Sequence, residues 1–295
     1  MSGGSFLRDR LAPVGSILLV ILIAWYIAAY ALNAPFQRDF DRRTDVTRTG
    51  AEFLLATMSQ PKPTMPAPHQ VAENLWTNTL TVKPWSKRSL VYHSWITLSA
   101  TLLGFAMGTA LGVAIAIGIV HVPALDRSLL PWIITSQTIP ILAVAPMIIV
   151  LLSAVGVTGL LPKALISTYL SFFPVAVGMV KGLRSPDVLH LDLMRTYSAS
   201  KMQLLWKLRI PASVPFFFTS MKVAIAASLI GAIVGELPTG AVAGIGSKLL
   251  AGSYYSQTID IFAALIAGSI VAILLVSLVG ILGRLVNARM GARQA

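Results

Sequence analysis

The chain contains no cysteine and few acidic residues, and each shortage excludes a class of function. Without cysteine there is no disulfide, no thiolate metal site and no thiol nucleophile. The four histidines, at positions 69, 93, 121 and 190, show no spacing typical of metal ligands. The 11 aspartates and glutamates form no cluster with them that could act as a catalytic site. The sequence therefore predicts no metal, no cofactor and no enzymatic centre, and ranks a membrane enzyme as the least favoured function.

Charge is scarce as well, at 12% of residues, whereas soluble domains average about 25%. Hydrophobic residues make up 56% of the chain, and the mean hydropathy is +0.77. The net charge of +12 is dispersed between apolar segments, so it does not form the single basic face that binds nucleic acid. This composition predicts a polytopic protein whose surroundings are the lipid bilayer, with no nucleic acid partner.

Six apolar segments reach the roughly 20 residues that a helix needs to cross the hydrocarbon core. Because lipid offers backbone amides no other partner, each segment should be an α-helix, which predicts an all-α membrane protein with six transmembrane helices. The predicted spans are residues 14–31, 95–119, 129–152, 158–180, 216–237 and 259–283.

Basic residues in short loops predict the orientation of these spans. A cytoplasmic N-terminus leaves only Lys163 and Lys248 in short outer loops, and it places the long 32–94 segment outside. Both termini are then cytoplasmic. The basic residues placed inside are Arg8, Arg10, Arg127, those between Lys181 and Arg209, Arg284, Arg289 and Arg293.

The first span also resembles a signal peptide, since Arg8 and Arg10 precede it and a small-residue motif ends at Ala31. Its apolar run exceeds the usual 7 to 15 residues, which favours an uncleaved anchor. Beyond it, alternate prolines between positions 61 and 68 predict extended backbone. The flanking residues 51–58 and 71–80 are predicted to form short helices at the membrane surface.

Polar and small residues inside the spans mark two further features. Gly104, Gly108 and Gly112 share one helix face, which indicates close helix packing, either within the chain or at a dimer seam. The other feature is a polar patch, Thr135, Ser136, Gln137 and Thr138, in a span with several prolines. With Tyr169 and Phe172 it is a candidate translocation path; interhelical hydrogen bonds and an interfacial aromatic belt are the alternatives.

The charges nearest the bilayer interior, Lys222 and Glu236, are predicted to lie close to the two ends of the fifth span. No other span contains an acid that could couple a proton or sodium ion near the midplane, which disfavours secondary transport. The glycine-rich run 240–248 lacks the GK[ST] ending of a phosphate-binding loop and lies outside. ATP must therefore be bound by another polypeptide.

The cationic segment 181–211 is too polar to cross the bilayer and is predicted to be a structured cytoplasmic loop. Its run from Asp192 to Lys201, followed by Pro211, resembles the EAA loop of binding-protein-dependent ABC importer permeases. In that family the loop carries the helix that docks on the ATPase. The residues that carry the resemblance are Asp192, Leu193, Met194, Ser198, Ala199, Ser200, Lys201 and Pro211.

This loop departs from the family pattern at four positions. Asp192 stands where the family has glutamate, Leu193 and Met194 replace two alanines, and Ser198 replaces glycine. Because serine tolerates a positive φ poorly, the loop is expected to turn differently here. Pro211 and Pro215 are expected to break the helix before the fifth span.

The resemblance extends over residues 93–284, to permeases that serve nitrate, sulfonate, taurine and thiamine-precursor importers. Glu236 with Gly244, Ile245 and Gly246 is similar to that family's outer Glu and Gly-Leu-Gly. It implies a five-helix type I importer core at 93–284, an N-terminal helix and periplasmic segment at 1–92, and a cytoplasmic tail at 285–295.

The family also implies the partners. These are ABC ATPase subunits, a periplasmic solute-binding protein and a second permease, in a homodimer or heterodimer in the inner membrane. Residues 236–240 and 252–255 resemble permeases for pyrimidine-type or related nitrogen heterocycles. The alternative function is an autonomous ion-coupled secondary transporter or a channel.

Overall fold

Helices form every regular element in residues 12–237 and 243–290, the parts described by this computed structural model. They are α1 (Ala12–Thr44), α2 (Ala51–Met58), α3 (Pro68–Trp76), α4 (Leu90–His121), α5 (Pro123–Ser136), α6 (Ile141–Ala154), α7 (Leu160–Leu183), α8 (Val188–Thr196), α9 (Lys201–Leu204), α10 (Ile210–Glu236), α11 (Ile245–Tyr254) and α12 (Thr258–Arg289). Arg8, Arg10, Arg293 and residues 240–242 of the glycine-rich run lie outside the described residues.

Five predicted spans are confirmed as single long apolar helices: α1, α4, α7, α10 and α12. The third is wrong as a single helix, because α5 and α6 meet at a bend of 99°. Pro140 explains the break: its ring disfavours helical backbone at Ile139, and it has no N–H for the carbonyl of Ser136. The chain instead turns at residues 137–140, and Pro140 becomes the residue before α6.

The contacts of α5 and α6 bear on whether this pair is one broken span or a re-entrant loop. Arg184, after the end of α7, forms an ion pair at 2.8 Å with Asp126 in the first turn of α5. At the other end of α7, Ile166 packs against Ile149 of α6 and Val234 of α10. These contacts extend along α7 from one end toward the other, as expected if α5 and α6 form one broken span, which would bring the number of candidate spans to six.

The chain divides into two units, Met1–Val91 with Lys248–Ile266, and Tyr92–Ser247 with Ala267–Ala295. In the second unit, α4, α7 and α10 pack through small residues. A Cβ at Gly231 of α10 would lie 2.7 Å from the Cα of Ser167 on α7. Ser167 Oγ donates to the carbonyl of Ser228 at 2.9 Å, and Ser228 Oγ donates to the carbonyl of Thr101 on α4 at 2.8 Å. Small residues permit this approach, and hydroxyl groups bond across it.

The glycine stripe of α4 faces α7 of the same chain. A Cβ at Gly104 would overlap Ser167, one at Gly108 would overlap Ser171, and one at Gly112 would lie 2.7 Å from the carbonyl oxygen of Phe172. Because α7 occupies this face, it is not open to a second copy of the chain, and the dimer-seam alternative does not fit.

In the first unit, the middle of α1 is bound to the proline-rich segment by polar contacts. Asn33 Nδ2 donates to the carbonyl of Met65 at 2.7 Å, and Trp25 Nε1 donates to the carbonyl of Pro66 at 3.0 Å. The short helices are confirmed: α2 covers 51–58, and α3 with a π-helical turn at Thr77–Thr81 covers 71–80. Residues 61–67 are not helical, as their prolines predict.

We expect Gly108→Leu to destabilise the second unit, because its side chain would have to separate α4 from α7. Overpacking of this kind costs about 1–3 kcal/mol. The measurement is the thermal unfolding midpoint in detergent. Gly15→Leu is the matched control, since a Cβ at Gly15 of α1 meets nothing within 4 Å. Equal midpoints for both variants and the unsubstituted chain would contradict the packing described here.

Candidate functional site

The loop between α7 and α10 contains a helix whose end is closed by backbone hydrogen bonds. Ser198 N–H donates to the carbonyl of Arg195 at 2.8 Å, and Ala199 N–H donates to that of Met194 at 3.0 Å. This is the Schellman pattern, which requires a left-handed residue after the helix. Ser198 is this left-handed residue, with a φ of 52°. The expectation that the loop would turn differently with serine in place of glycine is therefore wrong, since two backbone bonds offset the strain at Ser198.

A second cap follows at once. Ser200 Oγ accepts from the N–H of Gln203 at 3.2 Å, and Gln203 Oε1 accepts from the N–H of Ser200 at 2.8 Å. This capping box satisfies backbone donors at the start of α9 and fixes its direction. The sequence contains the signal for this cap, a serine followed three residues later by a glutamine. The turn at 197–200 is thus defined on both sides.

Pro211 does not break the helix, contrary to expectation. Residues Lys201–Glu236 form one continuous span of 36 residues, about 54 Å at 1.5 Å per residue. Just before the proline, Leu205–Arg209 form a π-helical turn in which the N–H of Ile210 bonds to the carbonyl of Leu205. This wider turn accommodates a residue that cannot donate and whose ring would crowd the preceding turn.

The helix α8 presents an apolar stripe to its surroundings. Leu189, Leu193 and Tyr197 recur every four residues on one face, with 75%, 53% and 77% of their surface exposed. Asp192 and Arg195 pair at 2.9 Å on this helix, but so exposed an ion pair contributes little to stability. An exposed apolar stripe on a segment predicted to lie outside the bilayer indicates a surface that binds a partner.

The candidate translocation path lies at the break between α5 and α6. Ser136 Oγ and Thr138 Oγ1 donate to carbonyls at the end of α5, at 2.7 and 2.8 Å. From α7, the Tyr169 hydroxyl donates to the carbonyl of Ser136, and its ring lies 6.2 Å from that of Phe172. The structure thus brings the six predicted residues together, and one interhelical hydrogen bond joins them. Thr135 and Thr138 remain exposed.

Two adjoining grooves extend from this region toward the end of α7, with volumes of about 680 and 470 Å³. Ile134 of α5 lines the larger, and Phe173, Lys181 and Phe216 of α7 and α10 line both. The Lys181 ammonium lies 5.9 Å from the centre of the Phe216 ring. Sequence reasoning missed Phe216 as a lining residue, because its run of three phenylalanines is indistinguishable from lipid-facing helix.

Glu236 is the last residue of α10, so its predicted position at one end of the fifth span is confirmed. Its side chain is fully buried, which the sequence did not predict. Its carboxylate accepts from Thr97 Oγ1 at 2.9 Å and from the N–H of Gly246 at 2.8 Å, and Lys163 Nζ lies 3.8 Å away. The apolar residues around it in the sequence gave no sign of these partners.

Comparison with known proteins identifies the family. Residues 108–292 match the binding-protein-dependent transport system inner membrane component. The chain is 31% identical over 214 residues to a probable ABC transporter permease protein of Haemophilus influenzae, covering 72% of this chain and 82% of that protein. It is 30% identical over 221 residues to the riboflavin transport system permease protein RibX of Chloroflexus aurantiacus, covering 75% and 78%.

A third relative is the formylaminopyrimidine transport permease protein ThiX of Halalkalibacterium halodurans, 31% identical over 154 residues, or 52% of this chain and 60% of that protein. The family match contains the capped loop, α7, α10 and Glu236, and it covers more than half of the chain. The chain therefore belongs to the binding-protein-dependent inner membrane components, as a multi-pass permease of an ABC importer.

Proposed function

We propose that the loop from α8 to α9 is the docking segment of this permease for its ATPase, and that both chain termini lie in the cytoplasm. The observation that carries the proposal is the apolar stripe of Leu189, Leu193 and Tyr197 on a helix capped at its end and joined to α10. A helix whose apolar face is exposed fits a hydrophobic groove on a partner.

The connection from this segment into the membrane supports the proposal. The turn at Ser198 leads directly into the 36-residue helix that ends at Glu236. That helix packs on α7, and Phe173 of α7 and Phe216 of α10 line both grooves. Displacement of α8 by an ATPase would therefore move the walls of the grooves, and the path would open to alternate sides of the membrane.

The remaining partners follow from the family. A solute-binding protein delivers the solute on the outer side, and two permeases and two ATPases complete the assembly. We propose a homodimer, since each copy has the full set of helices and its own docking loop. With α5 and α6 counted as one span, the chain crosses the membrane six times. The two termini then lie on the same side, in agreement with the distribution of basic residues.

We propose a nitrogen heterocycle as the solute. Two of the relatives named above are permeases for formylaminopyrimidine and riboflavin, both of which contain such rings. The six candidate path residues are hydroxylated, amide or aromatic, and such side chains can hydrogen-bond to and stack on a heterocycle. Identifying the solute carried by the partner binding protein tests this assignment.

Single introduced thiols test the topology, because the chain has no cysteine of its own. We expect an impermeant maleimide added to spheroplasts to label Ser59→Cys and Ser253→Cys but not Ser198→Cys. All three positions are exposed, so the difference reports the side of the membrane. Labelling of Ser198→Cys before lysis would place the docking segment outside and overturn the proposal.

A charge on the apolar stripe tests the docking. We expect Leu193→Asp to reduce the amount of ATPase that co-purifies by at least about tenfold, because a buried unpaired carboxylate costs more than the 1.4 kcal/mol that a tenfold change requires. Membrane insertion should persist, since Leu193 is exposed within the chain.

Val188→Asp is the matched control for this variant. Val188 is also apolar, with 67% of its surface exposed, but it lies about 140° around α8 from the centre of the stripe. It should retain the ATPase. Equal loss in both variants, or in neither, would show that the stripe does not form the docking surface.

A further inference from the structure

We propose that Glu236 is a positioning residue for transport, which transmits movement of α10 to the outer segment 243–247 without contacting the solute. The inference rests on the proposed docking of the ATPase at α8. It concerns Glu236, at the end of α10 opposite the docking loop. The Glu236 cluster comprises Glu236, Thr97, Lys163, Gly244 and Gly246.

The carboxylate of Glu236 joins α10 to α4 and to the outer segment. Thr97 Oγ1 donates to it and at the same time accepts from the N–H of Ile245 at 2.9 Å. Glu236 also accepts from the N–H of Gly246 at 2.8 Å. One carboxylate and one hydroxyl therefore hold two successive backbone amides of the segment, and both side chains are fully buried.

The glycines of the segment are required by this contact. Gly244 has φ of 132°, and a Cβ there would overlap the carboxyl group of Glu236. At Gly246 a Cβ would lie 2.8 Å from the Cβ of Glu236 and would overlap the carbonyl of Ile233. Gly244 and Gly246 are thus matched to Glu236, because the backbone of the segment must approach the carboxylate directly.

Two further residues attach the segment to neighbouring helices. Lys163, in the first turn of α7, lies 3.8 Å from the carboxylate and donates to the carbonyl of Ala243 at 3.3 Å. His93 Nδ1, near the start of α4, accepts from the N–H of Gly244 at 2.9 Å. The outer ends of α4, α7 and α10 and the segment therefore share one buried polar network.

Stability alone is a poor reason for such a network. The cost of desolvating two buried charges often exceeds their mutual attraction, and apolar residues of similar size would stabilise the fold equally well. A buried charge with fixed hydrogen-bond partners instead defines one arrangement of the groups around it. Here it fixes the outer segment to the end of a helix whose other end begins at the docking loop.

The test measures how fast a thiol in the outer segment reacts with a maleimide, and it requires no solute. Ser247→Cys, half-buried in the segment, is introduced alone into the complete transporter in proteoliposomes containing the ATPase. Biotin maleimide labelling is followed with and without ATP. ATP should change the labelling rate at least threefold in the otherwise unsubstituted chain.

Removing the charge or the hydroxyl should break this response. In Glu236→Gln and in Thr97→Val, we expect the labelling rate of Ser247→Cys without ATP to rise at least tenfold, and its response to ATP to disappear. Thr97→Ser retains the hydroxyl and should keep both the low rate and the response. ATPase should still co-purify with every variant, since α8 is unchanged.

A second thiol distinguishes positioning from general loosening. Ser213→Cys, with 1% exposure on the same helix α10 but near its docking end, should stay protected in all variants. Reactivity at both thiols, an unchanged Ser247→Cys rate, or equal effects of Thr97→Ser and Thr97→Val would overturn the inference. Failure of the ATPase to co-purify with the unsubstituted chain would instead overturn the proposed function.

Discussion

Close packing of α4, α7 and α10 is the constraint on which the rest of the second unit depends. Within a bilayer the hydrophobic effect does not drive helices together, so packing and interhelical hydrogen bonds must do so. Gly104, Gly108 and Gly231 let the backbones approach, and Ser167 and Ser228 bond across the contact. The proposed docking loop and the Glu236 cluster lie at the two ends of this packed core, and the proposed coupling between them requires the core to move as a whole.

Backbone groups that helices leave unpaired determine where the irregular segments occur. At the α5–α6 break, hydroxyl groups of Ser136, Thr138 and Tyr169 donate to three carbonyls at the end of α5. One of these, the carbonyl of Ser136, is the one for which Pro140 has no N–H. At the start of α10, a π-helical turn serves the same purpose before Pro211. Both adjustments are internal to the protein, and at the α5–α6 break they must be, since lipid offers backbone groups no partner. The first of them creates the polar patch, so the candidate path is a consequence of how the break is satisfied.

Apolar segment length was sufficient to predict five of the spans and the all-helical class, because crossing the bilayer imposes both. Segment length could not predict which prolines would interrupt a helix and which would lie inside one. Pro140 lies in a break and precedes α6, whereas Pro146 and Pro174 lie inside α6 and α7. The family was predicted from a motif, but the turn at Ser198 was not, because a serine's strain is offset by bonds visible only in three dimensions.

Burial of Glu236 was likewise beyond sequence reasoning, since its partners Thr97 and Lys163 come from distant parts of the chain. The central claim, that an external ATPase drives this permease through its cytoplasmic loop, has one direct measurement. Solute uptake is followed in vesicles containing the chain, the ATPase, the binding protein and ATP, after ionophores collapse the proton and sodium gradients. The account predicts undiminished accumulation that stops when ATP is removed. Accumulation by the chain alone, driven by an ion gradient without ATP, would contradict it.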